Sequence, residues 1–135
     1  RSEKQKAALG TTILDSHLRS KTGGEKRRHW LAVTPLILVV CLDQIRAKVR
    51  FGERGEKIFG IQDTGFAIQN IRLAALEYGV KSCLVREFDV DGLRRLLVLP
   101  KHVEPLILIG MGFSSVEPRE VTHLELEDYL HYERW

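Results

Sequence analysis

Apolar residues are densest in one long segment near the middle of the chain, residues 63–82, which residues 60–62 lead into. The segment opens with Asp63, a residue type that caps helices, and stops at Gly79. Its apolar positions cover most of a helix circumference instead of one stripe: Phe66, Ala67, Ile68, Ile71, Leu73, Ala74, Ala75, Leu76 and Tyr78. The pattern predicts a central helix that is buried on several sides.

Three shorter apolar runs predict β-strands. Residues 35–42 form a continuous run that ends at Asp43, which is typical of a buried central strand. Residues 80–85, an alternating or apolar run that contains β-branched valines, predict the second strand, and residues 106–109, directly after Pro105, predict the third.

The remaining segments predict further helices and connections. Residues 1–21 have apolar spacings that a helix or broken helix could use. Residues 43–59 are charged and contain glycines, which favours an irregular connection into the central helix. Asp89 or Asp91 can cap a short helix that runs through Leu97. Strands and helices in mixed order indicate an α+β fold, with a mixed or antiparallel sheet flanked by helices.

The last segment, residues 113–135, predicts a tail that leaves the core. Thr122 and Glu125 have the spacing of a capping box, which predicts a new short helix. The terminal residues are rich in aromatic side chains, and apolar tails of this kind are usually docked. We expect this tail to dock on a partner subunit.

Length and composition limit the class of protein. With 135 residues and 44% hydrophobic content, the chain suits a single domain spanning residues 1–135. Its net charge of +3 is spread along the sequence, so no general nucleic-acid binding is expected. No apolar run approaches a membrane span of about 18 residues, and there is no secretory pattern, which favours a soluble, cytoplasmic protein.

Local chemistry adds little by itself. Cys41 and Cys83 lie in apolar runs and are expected to be reduced and buried. The cluster at residues 26–28 favours a solvated face over a phosphate-binding patch. The five histidines have no metal-ligand spacing, and there is neither a nucleophile elbow nor a glycine-rich phosphate loop. Any redox or transfer chemistry would therefore have to come from a cofactor.

A series of short motifs, in a fixed order between residues 32 and 112, carries a resemblance to a known family. The motifs are Thr34-Pro35 with its strand, Phe51-Gly52-Glu53-Arg54-Gly55, Asp63-Thr64-Gly65, Gln69-Asn70-Ile71-Arg72-Leu73-Ala74-Ala75, Gly79-Val80-Lys81-Ser82, Phe88-Asp89, Leu97 to Pro100, and Pro105 to Gly112. Together they resemble the C-terminal half of the flavin-dependent nitroreductase family. Within it, they are most similar to the dehydrogenase branch that includes the thiazole and oxazole oxidases of peptide tailoring.

The resemblance implies an α+β domain that forms a homodimer and binds FMN at the subunit interface. It implies hydride transfer between NAD(P)H or a small organic substrate and an acceptor, through flavin N5. In such proteins the long central helix packs at the dimer core.

The same resemblance implies a set of cofactor-binding residues. Backbone N–H groups of Arg86 and Glu87 would meet flavin N5 and O4, and many relatives carry glycine where this chain has Glu87. Gly79 and Ser82 would lie near the same loop, and Arg119 would reach the flavin phosphate. Without the resemblance, a strand serine and surface arginines are ordinary structural residues.

One departure from the family pattern leaves two functional classes open. The family normally begins with an arginine-rich segment, of pattern R-x-S-x-R, that grips the FMN phosphate, and nothing before Ala32 matches it. We therefore expect either a fragment or a natural short form whose flavin site is incomplete. The first hypothesis is an FMN-dependent oxidoreductase; the alternative is a non-catalytic dimeric binding module that has lost or weakened its flavin site.

Overall fold

A three-stranded antiparallel sheet forms the centre of the protein in the computed structural model, which describes residues 3–13, 30–117 and 121–135. The strands are β1 (Leu36–Asp43), β2 (Lys81–Val85) and β3 (Val103–Gly112), in the order β1-β3-β2. All three predicted strands and the α+β fold are confirmed. The prediction that the first strand is central is wrong, because β3 occupies the centre of this sheet.

The register of β1 on β3 changes at a proline. Val40 pairs with Ile107, whereas Cys41 pairs with Pro105, and the register shifts between them. Proline has no backbone N–H to donate to the ladder, so a bulge is the expected response when it lies in a central strand.

The α-helices that accompany the sheet include α1 (Glu3–Thr11), α2 (Gln44–Arg54), α3 (Gly60–Glu77) and α4 (Val90–Leu97), and residues 30–33 are also helical. A π-helical turn, Gly55–Phe59, joins α2 to α3. Helix α1 falls within the predicted helical segment at residues 1–21, whose later part lies outside the described residues.

The predicted irregular connection at residues 43–59 is wrong for most of its length, since the segment is helical apart from a kink at Gly52, whose φ of 64° is not helical. Asp43 caps α2, its carboxylate accepting a hydrogen bond from the Arg46 backbone N–H at 3.1 Å. Two glycines that resemble helix breakers instead permit close packing. A Cβ on Gly55 would lie 2.3 Å from the Ala47 carbonyl oxygen, and one on Gly60 would lie 2.6 Å from a Leu42 methyl group.

Helices cover both faces of the sheet. On one face, Leu31, Leu93 and Leu108 are fully buried in a core that also takes residues from α1 and from the loop after β2. On the other face, α3 packs through Ile68 against Ile109 and Met111. The single strand β3 therefore contributes to both cores, as the alternation of side chains along a strand requires.

Helix α3 confirms the predicted central helix but not its predicted burial. It ends before Gly79, which adopts a φ of 70°, a conformation that glycine accepts without strain. Only Gly60 and Ile68 are buried along α3. Phe66, Leu73 and Leu76 are 69%, 56% and 57% exposed, so the prediction of burial on several sides is wrong for the chain alone.

Asp89 supplies the predicted cap of α4. Its side chain accepts from the Gly92 backbone N–H at 2.9 Å. Arg94, within α4, donates to the Pro100 carbonyl at 3.1 Å and contacts the Glu104 carboxylate. The arginine thus fastens the turn between α4 and β3.

The tail forms a single turn of 3-10 helix at Leu126–Asp128. Its capping box pairs Glu125 with Asp128, so the predicted pairing of Thr122 with Glu125 is wrong by three residues. The described part of the tail is exposed, and Trp135 is 99% exposed. Docking of the tail on a partner stays a prediction.

No helix among the described residues is both long and apolar enough to cross a membrane.

Candidate functional site

The predicted cofactor-binding residues lie at two ends of β2. Gly79 precedes the strand and Ser82 is its second residue, whereas Arg86 and Glu87 follow its last residue. Ser82 and Arg86 are four positions apart, which at about 3.3 Å per residue is roughly 13 Å. These residues therefore do not surround one point, and Arg119 lies outside the described residues, as does the basic cluster at residues 26–28.

The loop that carries Arg86 and Glu87 is anchored by the two residues that follow them, Phe88 and Asp89. The Asp89 backbone N–H donates to the Thr12 carbonyl at 2.6 Å, and Phe88 forms an isolated β-bridge with Ile13. The Phe88 side chain is buried in the core beside α1. This anchoring holds the two preceding residues at the end of the sheet.

An apolar cleft of about 290 Å³ lies beside Arg86. It opens between the first half of α3 and the start of β3, and its lining is Ile61, Thr64, Gly65, Ile68, Arg86, Leu106 and Ile107. Arg86 is the one charged residue of this lining. A Cβ placed on Gly65 would meet nothing within 4 Å, so the helix surface there is open. We call this space the apolar cleft; its chemistry suits a flat apolar ring.

A second pocket, of about 340 Å³, lies at the opposite end of the same helix and strand. Its lining is Gln69, Arg72, Leu73, Leu76, Lys81, Ser82 and Val116. Arg72 Nε donates to Ser82 Oγ at 3.1 Å, and Arg72 Nη1 donates to Gln69 Oε1 at 3.2 Å. Lys81 Nζ donates to the Val116 carbonyl at 2.6 Å. We call this space the donor pocket.

The two cysteines are free, and neither has the features of a reactive thiol. Burial raises the pKa of Cys41, and burial also raises the pKa of Cys83, which the nearby Arg72 guanidinium partly offsets. Cys83 is nonetheless exposed as a residue and Cys41 half-buried, so the prediction that both are buried is wrong. No cluster of metal-ligating side chains occurs in the part of the chain that the structure describes.

Sequence reasoning missed most of the lining of both pockets. Thr64 and Gly65 lie on the same side of α3 as Ile68, at spacings of four and three residues, so the helical period could have placed them beside the sheet. Arg72 and Lys81 belong to the motifs of the resemblance, but nothing in their spacing indicates that both line one pocket.

Comparison with known proteins is consistent across sequence and structure. The profile of the Nitroreductase family matches residues 3–113. A curated protein of Methanothermobacter thermautotrophicus, provisionally named an NADH dehydrogenase/NAD(P)H nitroreductase, is 31% identical over 105 residues. That match takes in 75% of this chain and 51% of the relative, so the chain spans about half the length of the curated protein.

Solved structures share the fold. A nitroreductase family protein from Streptococcus pneumoniae TIGR4 superposes with a TM-score of 0.79 at 14% identity, over 98% of this chain and 76% of that one. An FMN-dependent nitroreductase from Clostridium difficile R20291 superposes with a TM-score of 0.67 at 21% identity, over 99% and 72% of the two chains. At these identities the likeness concerns the fold. The family profile covers most of the chain, and we conclude that this protein belongs to the nitroreductase family.

Proposed function

We propose that this protein is an FMN-dependent oxidoreductase that transfers hydride between NAD(P)H or a small organic substrate and an acceptor. The observation that carries the proposal is the apolar cleft beside Arg86, in a chain that belongs to the nitroreductase family. The names of two relatives support the chemistry, since one is called an FMN-dependent nitroreductase and the other an NADH dehydrogenase/NAD(P)H nitroreductase.

The residues of the apolar cleft fit an isoalloxazine ring. Ligand sites are mostly apolar with a few placed polar groups, and this cleft has aliphatic walls with one arginine. Arg86 and Glu87 follow Val85, the last residue of β2 that pairs with β3, and the resemblance implies that their backbone N–H groups meet the flavin ring there. When bound, FMN would supply the redox chemistry, and the protein would supply the slot, the donors and the exclusion of water.

Gly79, Ser82 and Arg119 enter the proposal as contacts for the other end of the cofactor. Because Ser82 lies roughly 13 Å along β2 from Arg86, it can meet only a part of FMN distant from the ring edge. Arg119 would pair with the phosphate, as a guanidinium fork does.

The exposed side of α3 supports the proposal of a homodimer. Phe66 and Leu73 are seven residues apart, about two helical turns, and therefore lie on one side of the helix, which Leu76 extends. All three side chains are more than half exposed. Large apolar side chains that cluster on a surface generally mark an interface. We propose that a second copy covers this side and that residues 113–135 dock on that copy.

A non-catalytic dimeric binding module is the second candidate function. The exposed side of α3 favours it, because this surface would serve dimerisation with or without a flavin. Glu87, at a position where many family members carry glycine, also favours it.

The visible absorbance spectrum of the purified protein, before and after adding FMN, separates the two functions. An oxidoreductase is expected to show flavin bands and to reduce bound FMN with NADH or NADPH. A colourless protein that also fails to retain added FMN would leave only the binding module. In the Glu87→Gly variant we expect changed redox behaviour of the bound flavin with little change in stability.

Arg119 has its own test. We expect Arg119→Ala to retain FMN more weakly, because one guanidinium partner of the phosphate is lost. Arg134→Ala, a change of the same kind in the exposed tail, is the matched control. Equal FMN affinity in the two variants would refute the phosphate assignment.

A further inference from the structure

In the donor pocket, the side-chain acceptor atoms already accept hydrogen bonds from Arg72, whereas several side-chain donors remain available to a ligand. We propose that this pocket binds the phosphate group of a small phosphate monoester. The pocket lies at the opposite end of β2 from the apolar cleft, so the inference deepens the proposed function if the phosphate is that of FMN and goes beyond it if the ester is a separate molecule.

An inventory of polar atoms shows what the pocket can accept. A guanidinium has five N–H donors, and the described contacts of Arg72 use two of its nitrogens, Nε and Nη1. The Ser82 oxygen and the Gln69 carbonyl oxygen both accept from Arg72, which leaves the hydroxyl proton and the amide NH₂ as donors. Every polar side chain of the lining therefore offers donors, and the matching ligand is rich in acceptors.

The charge of the pocket is positive. Both acceptors of Arg72 are neutral, and among the described residues no carboxylate forms an ion pair with it. Lys81 pairs with Glu117 at 3.6 Å, but the Glu117 side chain is 87% exposed, and such surface pairs contribute little. The C-terminal end of α3 contributes a partial negative charge of about half an elementary unit, which two full positive charges outweigh. Two cations favour a dianion over a monoanion.

The arginine is held in position before any ligand arrives. Its hydrogen bonds to Ser82 and Gln69 tie the guanidinium to β2 and to the preceding turn of its own helix. A donor that is already ordered loses less conformational entropy on binding, which favours affinity. Arginine also matches phosphate geometry through paired N–H groups.

The rest of the lining indicates an organic ester instead of the inorganic ion alone. Leu73, Leu76 and Val116 supply an apolar wall, and a volume of about 340 Å³ is at the small end of ligand sites. Leu73 and Leu76 also belong to the surface proposed to face a second copy, so the pocket would border that interface. The pocket thus has room for a phosphate and a compact apolar group beside it. The phosphate could belong to a free metabolite or to FMN itself, and in the second case the inference rests on the proposed function.

Isothermal titration of the full chain, prepared without flavin, with phenyl phosphate and with inorganic phosphate tests the proposal. We expect phenyl phosphate to bind more tightly than inorganic phosphate and more tightly than benzoate. Binding should strengthen between about pH 5 and 7, as the phosphate loses its second proton near pH 6. Arg72→Met and Lys81→Met should each weaken binding by about tenfold, as expected when one charge-assisted hydrogen bond is lost.

Arg95→Met, an exposed arginine on α4, is the control and should bind phenyl phosphate normally. Lys81→Met keeps the test valid if Arg72→Met does not fold. No saturable binding to the parent protein, or equal binding by the parent and both pocket variants, would overturn the proposal.

A competition experiment distinguishes the two sources of the phosphate, a free ester and FMN. If FMN displaces phenyl phosphate and riboflavin does not, the phosphate is that of the cofactor; if neither displaces it, the ligand is a separate ester.

Discussion

The two ends of the α3–β2 pair differ in chemistry although the same helix and strand build both. At the end of β2, aliphatic side chains and Gly65 form the apolar cleft, in which Arg86 is the one charged lining residue. At its start, Arg72, Lys81 and Ser82 converge on the donor pocket. The first end suits a ring and the second suits an oxyanion.

The difference shows how a short strand can serve two parts of one ligand or two separate ligands. Ile68, which also lines the apolar cleft, and Ala75 pack in the core between α3 and the sheet, so both pockets depend on the same packing. Chemistry at each end is then decided by the residues that this packing leaves at the edges. Changes at the shared core should affect both pockets, whereas changes at one end should affect only that end.

The largest expected effect comes from the shared core. Ile68 is 4% exposed, and Ile68→Ala should lower the free energy of unfolding by about 2–4 kcal/mol through lost burial and a cavity. Both FMN and phenyl phosphate should bind more weakly. Urea denaturation measures the loss, and Val49→Ala, at a position 83% exposed, should leave the unfolding midpoint nearly unchanged. Equal midpoints for the two variants would contradict the role given to Ile68.

Filling the apolar cleft should weaken FMN binding without affecting the donor pocket. Gly65→Leu places a side chain where nothing lies within 4 Å of the new Cβ, and leucine has the higher helix propensity, so the fold should persist. FMN affinity should fall by roughly tenfold or more because the side chain takes volume from the ligand. Ala67→Leu, two residues along α3, is the control. Phenyl phosphate binding should be unchanged in both variants, and unchanged FMN affinity in Gly65→Leu would place the ring elsewhere.

Much of the fold is predictable because local patterns determine it. The apolar runs at residues 35–42, 80–85 and 106–109 predict all three strands, and the alternative caps Asp89 and Asp91 predict the start of α4, where Asp89 is the cap. The order of the strands is not local, since it depends on which strand can be buried on both faces. Helix α2 was missed because Gly52 and Gly55 lie in a charged segment with the composition of a loop, whereas Gly55 serves close packing and only Gly52 departs from helical geometry.

The site was predictable only in part. Resemblance led to Arg86 and Glu87, of which Arg86 lines the apolar cleft, and their contact with a flavin stays a prediction. It also grouped Ser82 with them, although strand geometry separates the two by roughly 13 Å. Arg72 was visible as a family marker, but its hydrogen bond to Ser82 joins residues ten apart through a turn, and no spacing rule predicts that contact.

A smaller effect is expected at the cap of α4. Asp89→Ala removes the acceptor of the Gly92 N–H and should cost about 1 kcal/mol of stability. Since Asp89 also follows the anchored loop, FMN affinity should fall slightly while phenyl phosphate binding is retained. Asp91→Ala, two residues further on in the first turn of α4, removes the same charge without removing the cap and is the control. Thermal denaturation with identical midpoints for Asp89→Ala and the parent protein would show that the cap is not needed.

The smallest effect concerns Cys83. Because burial raises the pKa of Cys83, its thiolate fraction is low at neutral pH, and alkylation by iodoacetamide should be slow. Alkylation should accelerate only when the pH rises above the pKa of a free cysteine. Removing the Arg72 guanidinium should raise the pKa further and slow alkylation at a fixed pH. The rate is read by mass spectrometry in a Cys41→Ser background. Faster alkylation in Arg72→Met would contradict the electrostatic role of Arg72.

Backbone amide chemical shifts during an FMN titration test the central claim most directly. We predict the largest shifts at Arg86, Glu87 and Gly65, with riboflavin reproducing them because the ring occupies the apolar cleft. Shifts confined to Lys81 and Ser82, or no saturable shifts at all, would contradict the assignment of the ring to the end of β2.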